Sequence, residues 1–569
     1  MTMMDEFRKT LKDQVLGRAI STPSKWAEKR RIMGPPFPGP YTFKYHPWCR
    51  ELHDTKATWN VSMKSAQAGF TEVGINLALY TVDVLKKNVL YVLPTLGEAS
   101  DFSQTRFNPA LRMSDYLKGV FTDANKVGLK MANNTSLYIR GSRGDSNLKS
   151  IPVSTLILDE LDEMDQSQIE LALHRLRGQP EKKVWYISTP TVPGHGVSLE
   201  FEKSTQEMFR FRCPGCNKID QFVFPESMHI CGEDMNDPDC YKSFIQCTMC
   251  GYQYKSFTDS SGIFKQDDKL QALTNTGHWE PTIHGTDPDR RGFSINQIYS
   301  YTVSPAEIAI DYFKSLTNSF ANQEFHKSVL GQAFVGEESK VTDELVLKAV
   351  KRGGGYRCKE RSVQPGEKRM ITLGLDQGKT NYWVICDWTY DITSLDLNGS
   401  AYCKVLDAGT FFEEDWEVMP DRLMHEWQVK ACMVDADPNI QEARRFARRF
   451  PGFVWLNRYR SGKTGKEMAI EDNGTYAPLA TVDRTNWLDI SIGRFYSGSI
   501  ELPSDLPRSV GEHVKNIVRI YEEDRAGNPV AVYKNYGKPD HFAHALNYAE
   551  MALPCGVSYI SNQNIGKFL

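Results

Sequence analysis

Between Thr58 and Thr191, five short apolar runs alternate with helix-like segments, a pattern that few folds accept. The runs are TWNVSM, NVLYVLPT, SLYIRG, VSTLILDE and KKVWYISTP, and the helical stretch TEVGINLALYTVDVLKK follows the first directly. Parallel strands need long crossovers and bury both faces, so this alternation reads as an α/β parallel sheet with helices on both sides. At 569 residues the chain exceeds what one core usually supports, and further domains are expected.

Two loops on that sheet carry chemistry. The first runs Lys64, Ser65, Ala66, Gln67, Ala68, Gly69, Phe70, Thr71, between a strand and a helix. A phosphate loop of the form G-x-x-x-x-G-K-[ST] holds phosphates with backbone N–H groups and a helix N-terminus. Gly69 and Thr71 fit that pattern, but Phe70 stands where the lysine belongs. Lys64, at the position of the first glycine, is a point charge on a flexible stem that reaches the same phosphates. The second loop ends the apolar strand at Asp159 and Glu160. In nucleotide hydrolases an acid at Asp159 holds Mg²⁺, and one at Glu160 polarises the attacking water. A buried strand capped by solvated acids is the plainer reading of that run alone. It leaves unexplained the Gly69–Thr71 loop that precedes it at ATPase spacing.

These stretches resemble the phage-lambda-like (GpA-type) class of large terminase subunits, whose phosphate loop has its lysine displaced upstream, as in KSAQAGFTE. The likeness includes PWCRELHD before the loop and LPTLGEASDFSQTRFNPAL after it, then GSRGDSNLKSIPVSTLILDELDEMD and WYISTPT. It implies that Ser188-Thr189-Pro190 couples hydrolysis to movement, and that Tyr41, Phe43, Tyr45 and Trp48 lie near the adenine. Many terminases carry an arginine where this chain has Gln67. The arginine finger is therefore unassigned among Arg140, Arg143 and a neighbouring subunit.

Cys213-Pro-Gly-Cys216 and Cys247-Thr-Met-Cys250 form two C-x-x-C knuckles, enough to surround one Zn²⁺ tetrahedrally and leave no open position for substrate. The 30-residue gap between them is long for a zinc ribbon and contains His229, Cys231 and Cys240 as competing ligands. A small, structural, zinc-ribbon-like insertion is expected, and it too resembles the lambda-like group. The alternative is separate buried thiols.

A second domain opens with the strand RMITLGLD, ending at Asp376, followed by YWVICDW and AYCKVLD, which fits an RNase H-like sheet. A further apolar strand ends at Asp435, with Asp437 two residues on, and Asp540 opens a histidine-bearing helix that includes His544. Phosphodiester cleavage uses two divalent ions held by hard oxygens from several segments. Asp376, Asp435 and Asp540 supply such oxygens, and their arrangement resembles the terminase nuclease. Many terminases place an acid where this chain has His544, so the third ligand is Asp540 with His544 assisting, or His544 itself. Asp437 competes with Asp435, because residues two apart on a strand face the same way. Each acid taken singly also reads as an N-cap or strand-end turn residue.

The expected organisation is an N-terminal helical segment (1–40), a P-loop ATPase domain (41–205) and the zinc-binding insertion (206–260). A helical remainder (261–345), a linker (346–368), an RNase H-like nuclease domain (369–555) and a flexible tail (556–569) complete it. A formal charge of −3 excludes a uniformly basic nucleic-acid coat but leaves room for a local groove. Lys29-Arg30-Arg31 and the Arg444–Arg449 cluster read as solvated helix faces. No apolar run approaches the roughly 20 residues that span a bilayer. Twelve cysteines without a signal-type N-terminus are expected as thiols or ligands. The resemblance implies a motor using ATP and Mg²⁺ or Mn²⁺ in the host bacterial cytoplasm, transiently on the procapsid. Its implied partners are double-stranded viral DNA, a portal protein, a small terminase subunit and further copies in a ring. The alternatives are a DNA-translocating or helicase-like ATPase with an inactive second domain, and a structural portal adaptor with a decayed phosphate loop.

Overall fold

The apolar runs of the first half are too short and too β-branched to hold a helix without tertiary support, and they pair as strands. In the computed structural model these are β1 (Trp59–Lys64), β2 (Val89–Leu93), β3 (Thr135–Gly141), β4 (Thr155–Asp159) and β5 (Lys183–Ser188). The structure describes residues 22–565 except 36, 122–126, 133, 144–147, 149–151, 259–263, 284, 337–338, 360–368, 395, 461–467, 472–476 and 524–527; side chains at 523, 529 and 559–565 are not described. The chain divides into two compact units, Met1–Phe334 and Val335–Leu569.

In the first unit, β6 (Glu207–Arg212) and β7 (Arg290–Ile295) join the same sheet, whose seven central strands are parallel in the order β6–β7–β1–β5–β4–β2–β3. Short antiparallel strands flank them at both edges. Every residue of β2 and β4 is buried, as a sheet covered on both faces requires. Helix α1 (Phe70–Asp83) covers one face with Val73, Ile75 and Leu79. Val61, Leu156, Val184 and Tyr186 face the other, against the helices at Gln166–Leu173 and Gly196–Glu202. Residues 261–345, expected to be helical, also supply β7, which lies beside β1. Its run, RRGFSI, holds too few apolar residues to stand out as a strand. The expected helical stretch from Ser304 onward does form, as Pro305–Ser315 and Ser319–Glu324 with a π-turn at Phe325–Val329.

The second unit is a mixed eight-stranded sheet. At its centre lie β8 (Arg369–Asp376), β9 (Thr380–Thr389), β10 (Tyr402–Phe412), β11 (Ala431–Asp435) and β12 (Val454–Tyr459), in the spatial order β10–β9–β8–β11–β12. The first three are antiparallel, and β11 and β12 run parallel to β8, which is the order of an RNase H-like sheet. Helix α2 (His541–Ile565) lies across β8 at close range. A Cβ on Gly374 would fall 1.9 Å from the Ala545 carbonyl oxygen, so glycine alone permits this approach. The Thr372 hydroxyl donates to the Ala549 carbonyl oxygen at 2.8 Å from the same strand. Deeper in the helix, buried Glu550 is paired with Arg494, whose guanidinium also bonds the Asn398 and Ala401 carbonyl oxygens.

The expected linker begins inside a helix, Asp343–Arg352, and its residues 360–368 lie outside the described residues. Helix α2 continues through 556–565 of the expected tail, whose last four residues also lie outside them, as do residues 1–21 of the N-terminal segment. Among the described residues, no helix is long and apolar enough to cross a membrane.

Candidate functional site

Strands β1, β5 and β4 are adjacent and parallel, so Lys64, Ser188 and Asp159 all stand at the carboxyl edge of the first sheet. Open α/β sheets bind their ligands at that edge. The loop leaving β1 curls through two left-handed residues, Gln67 (φ +60°) and Gly69 (φ +83°), and no side chain caps α1 behind it. Successive turns of this kind present backbone N–H groups to an anion. The PWC segment grips the loop from outside: Trp48 Nε1 donates to the Ala68 carbonyl oxygen at 2.8 Å. The Ser65 and Ala66 N–H groups donate to Ile295 and Ser328 carbonyl oxygens. Phe70 is 1% exposed and belongs to the core, which explains why no lysine is available from that position. Gln67 is exposed at the loop tip, and Thr71 is half-buried in the first turn of α1.

Lys64 stands at the start of the loop. Its Nζ donates to Glu160 Oε1 at 2.9 Å and to Thr189 Oγ1 at 3.3 Å, joining the phosphate-type loop, the acidic strand end and the Ser188-Thr189 turn. Asp159 Oδ2 accepts from the Tyr91 hydroxyl at 2.5 Å. Its other oxygen, Oδ1, is buried with no partner among the described residues, as is Ser65 Oγ. Burial, then Glu160, push the Asp159 carboxyl up to about 6, against the pull of Lys64. A carboxylate oxygen and a hydroxyl left open beside a phosphate-type loop fit a nucleotide with its divalent cation. Glu160 sits at φ +61°, ψ 52°, a left-handed conformation that costs a non-glycine residue on the order of 1–2 kcal/mol.

Two residues here escaped the sequence reading. Tyr91 shares β2 with ordinary core positions and carries no motif. Asp162 had a signal, an acid two residues beyond Glu160 together with the run Gly194-His195-Gly196. Its carboxylate accepts from the Thr191 N–H and hydroxyl at 2.8 Å each and from the Val197 N–H at 2.7 Å. Its own N–H reaches Ser188 Oγ at 3.2 Å. A Cβ on Gly196 would lie 2.3 Å from Asp162 Oδ1, so the turn needs glycine there. Asp162 thus clamps the turn after β5 to the turn after β4.

Burial pushes the Asp162 carboxyl up to about 6 despite its three hydrogen bonds. The folded chain therefore binds more protons than the unfolded chain between the ordinary carboxylate range and about pH 6. Stability from this group is fullest at low pH and falls as pH rises through that window. Relative to Asp162→Asn, the wild type is expected to lose about 2 kcal/mol between pH 4.5 and 7, read from denaturant unfolding. A flat difference would mean that this carboxylate titrates normally.

Of the aromatic residues placed near the adenine by resemblance, Tyr41, Phe43 and Trp48 are core side chains. Tyr45 is half-buried and stacks on Phe37 at 4.2 Å. Arg140 donates to the Gly128 and Ile139 carbonyl oxygens, and Arg143 is exposed just beyond β3.

The Sγ atoms of Cys213, Cys216, Cys247 and Cys250 lie within 4.8 Å of one another. Each knuckle is closed by a tight backbone turn, with Gly215 N–H donating to Cys213 Sγ at 3.3 Å and Met249 N–H to Cys247 Sγ at 3.4 Å. Gly215 packs so closely on Tyr252 that a Cβ would fall 2.7 Å from the ring. The competitors lie elsewhere: Cys240 Sγ is 3.3 Å from the Asp234 carbonyl oxygen, and His229 stacks on Phe244. The first knuckle follows β6 without a break, so the cysteine cluster is tied to the main sheet.

In the second unit, Asp376 and Asp435 end neighbouring parallel strands, one step beyond the Leu375–Val434 register pair. Asp376 Oδ2 is 2.8 Å from His541 Nδ1, and His541 stacks on Tyr382 at 4.5 Å. Burial, then the charge of Asp376, push the Asp435 carboxyl up to about 6. Asp540 Oδ2 lies 3.3 Å from His544 Nε2 and 3.8 Å from Arg484; burial raises its carboxyl, but these neighbours hold it below the ordinary value. His544 Nδ1 meets the Tyr459 hydroxyl at 3.1 Å. Asp437 turns away to a two-pronged pair with Arg458 at 2.9 and 3.0 Å, because β11 ends at Asp435 and strand alternation stops there. Among the described residues, only the four cysteines gather three or more ligand atoms within 4.8 Å, and the acids do not.

A family model described as the phage terminase large subunit gpA, ATPase domain, matches residues 36–265. The large terminase subunit of Escherichia phage lambda is 23% identical over 350 residues, covering 56% of this chain and 52% of its own length. That of Enterobacteria phage P21 is 21% identical over 352 residues, with the same two shares. The chain spans about half the length of these relatives. The crystal structure of the HK97 bacteriophage large terminase aligns with 93% of this chain and 98% of its own, at 11% identity and a TM-score of 0.44. The match over residues 36–265 takes in the sheet edge where Lys64, Asp159 and Glu160 meet, so this part of the chain is similar to the ATPase domain of the gpA-type phage terminase large subunit.

Proposed function

We propose that the chain is the motor and nuclease of viral genome packaging. It hydrolyses ATP to drive double-stranded DNA into a procapsid and cuts the DNA with a divalent-metal site in its second unit. The observation that carries the motor reading is Lys64 Nζ, bonded at once to Glu160 and to Thr189. Phosphate charge drawn onto Lys64 competes with both bonds, so nucleotide binding frees Glu160 to orient a water and releases Thr189. Asp159 would hold the Mg²⁺, which supplies charge neutralisation at the phosphates when bound. The Asp162 clamp then carries any shift of the 188–197 turn as one piece. The resemblance further supports a ring of copies on a portal, DNA choice by a small subunit, and action in the host cytoplasm. Four converging thiols support Zn²⁺ as the cation of the cysteine cluster, in a structural role.

For cleavage, Asp376 and Asp435 on adjacent strand ends supply the hard oxygens, with Asp540 and His544 opening α2 beside them. One observation favours a second reading, a translocating ATPase whose second unit does not cut: Asp540 already faces His544 and Arg484, and among the described residues the acids do not bring three ligand atoms within 4.8 Å of one another. Plasmid nicking decides between them. Wild-type protein with Mg²⁺ or Mn²⁺ is expected to nick, and Asp376→Ala and Asp435→Ala to lose at least about a hundredfold in rate while still hydrolysing ATP. No nicking by folded, ATP-hydrolysing wild type would establish the second reading.

A further inference from the structure

Asn457 lies on β12 in register with Asp435, and Asp435 is beside Asp376 one strand further on. Along each strand the same alternate positions pack in one hydrophobic cluster: Met370 on β8, Met433 on β11 and Trp455 on β12 share a core with α2. By the two-residue period, Asp376, Asp435 and Asn457 face that side as well, forming a row across three strand ends. Asn457 is fully buried, and neither its Oδ1 nor its Nδ2 has a partner among the described residues. Its backbone is ordinary, with the carbonyl oxygen accepting from the Ala436 N–H at 2.8 Å.

A buried amide with both ends idle is a cost on the order of 1–3 kcal/mol per group, and a leucine of similar size would avoid it. Elsewhere in the unit buried asparagines use at least one end: Asn398 Nδ2 reaches Glu550 Oε1 at 2.6 Å, and Asn547 Nδ2 reaches the Tyr459 hydroxyl at 3.0 Å while its Oδ1 has no partner among the described residues. Packing does not account for an amide at 457. Its neighbour in register does. One Asp435 oxygen accepts the Asp437 N–H at 3.2 Å, and Asn457 is its register partner on the next strand, on the same face of the sheet, with its amide not bonded to that carboxylate.

We infer that Asn457 is a positioning residue of the acid site, steadying the Asp435 carboxylate as it takes a divalent cation. The inference rests on the reading of Asp376 and Asp435 as metal ligands. Groups that orient metal ligands typically change affinity by about 10- to 100-fold when removed.

The test uses the full chain and Mn²⁺ without nucleotide. Bound Mn²⁺ is titrated by its paramagnetic resonance signal, and the site in question is the component that Asp376→Ala abolishes. Asn457→Leu is expected to weaken that component at least about tenfold while leaving the melting temperature unchanged or raised. Unchanged affinity would overturn the inference and make Asn457 a packing residue. Should Asn457→Leu fail to fold, Asn457→Ser is read in its place, and affinity within twofold of wild type overturns the inference equally. A wild type with no component sensitive to Asp376→Ala would instead defeat the acid-site reading itself, and the inference with it.

Discussion

Lys64→Ala is expected to reduce ATP hydrolysis on the order of a thousandfold without unfolding the chain. Removing one preorganised donor from a transition state typically costs a hundred- to a thousandfold. Lys64 is the cation at the phosphate-type loop that also holds Glu160 and Thr189, so its loss removes a phosphate contact and releases both partners. The loop itself is held by other contacts, Trp48 on Ala68 and the Ser65 and Ala66 N–H groups on neighbouring backbone, so its shape survives. Glu160→Gln should retain nucleotide binding and lose turnover, because the amide keeps the size of the side chain and loses its charge. The sharper arm is the double variant Lys64→Ala with Phe70→Lys, which restores the common phosphate-loop pattern. It should stay inactive and lose stability, since position 70 points into the core and a lysine there would be a buried, unpaired charge. Recovered hydrolysis in that variant would show that the loop does not work from Lys64.

The parallel sheet was legible because β2 and β4 are buried throughout and appear as near-continuous apolar runs, with the shorter apolar stretches of β1, β3 and β5 alternating with helical segments around them. β7 was not, although it pairs directly with β1, because Arg290, Arg291 and Gly292 occupy half of it. Arg291 is nonetheless at home there, paired with Glu207 and Glu51. The displaced lysine was readable as a departure from a pattern, but the reason for it was not. Only packing shows Phe70 committed to the core. In the second unit the strands bearing Asp376 and Asp435 were legible by their apolar content and acidic ends. Their surroundings were not: His541 on Asp376 and Arg484 by Asp540 are contacts between segments far apart in sequence. Asp437 was a fair competitor on strand periodicity and lost that standing when β11 ended two residues earlier. Asn457 left no mark at all, since an asparagine inside VWLNRY becomes unusual only when its buried amide is found idle.

Removing the cation from the cysteine cluster is expected to unfold residues 213–254 and take ATP hydrolysis with it. Phe222, Ile245 and Tyr254 anchor this region on the main core, but little else in it is apolar and regular. Its strands are two or three residues long, and the 30-residue gap between knuckles carries exposed polar loops. Four-thiolate zinc sites in small modules are worth on the order of 10 kcal/mol, which makes metal binding and folding one event. The consequence should spread, because β6 runs straight into Cys213 and pairs with β7, the neighbour of the strand that ends in Lys64. The chain as purified should hold one zinc per molecule by elemental analysis, and Cys213→Ser or Cys247→Ser should hold none. Cys231→Ser and Cys240→Ser should keep it, because neither thiol belongs to the four-cysteine group. Chelation should then lower the melting temperature of the wild type and leave that of Cys247→Ser unmoved. Full zinc content in Cys247→Ser, with loss in Cys240→Ser, would instead mean that the intervening loop supplies the ligands.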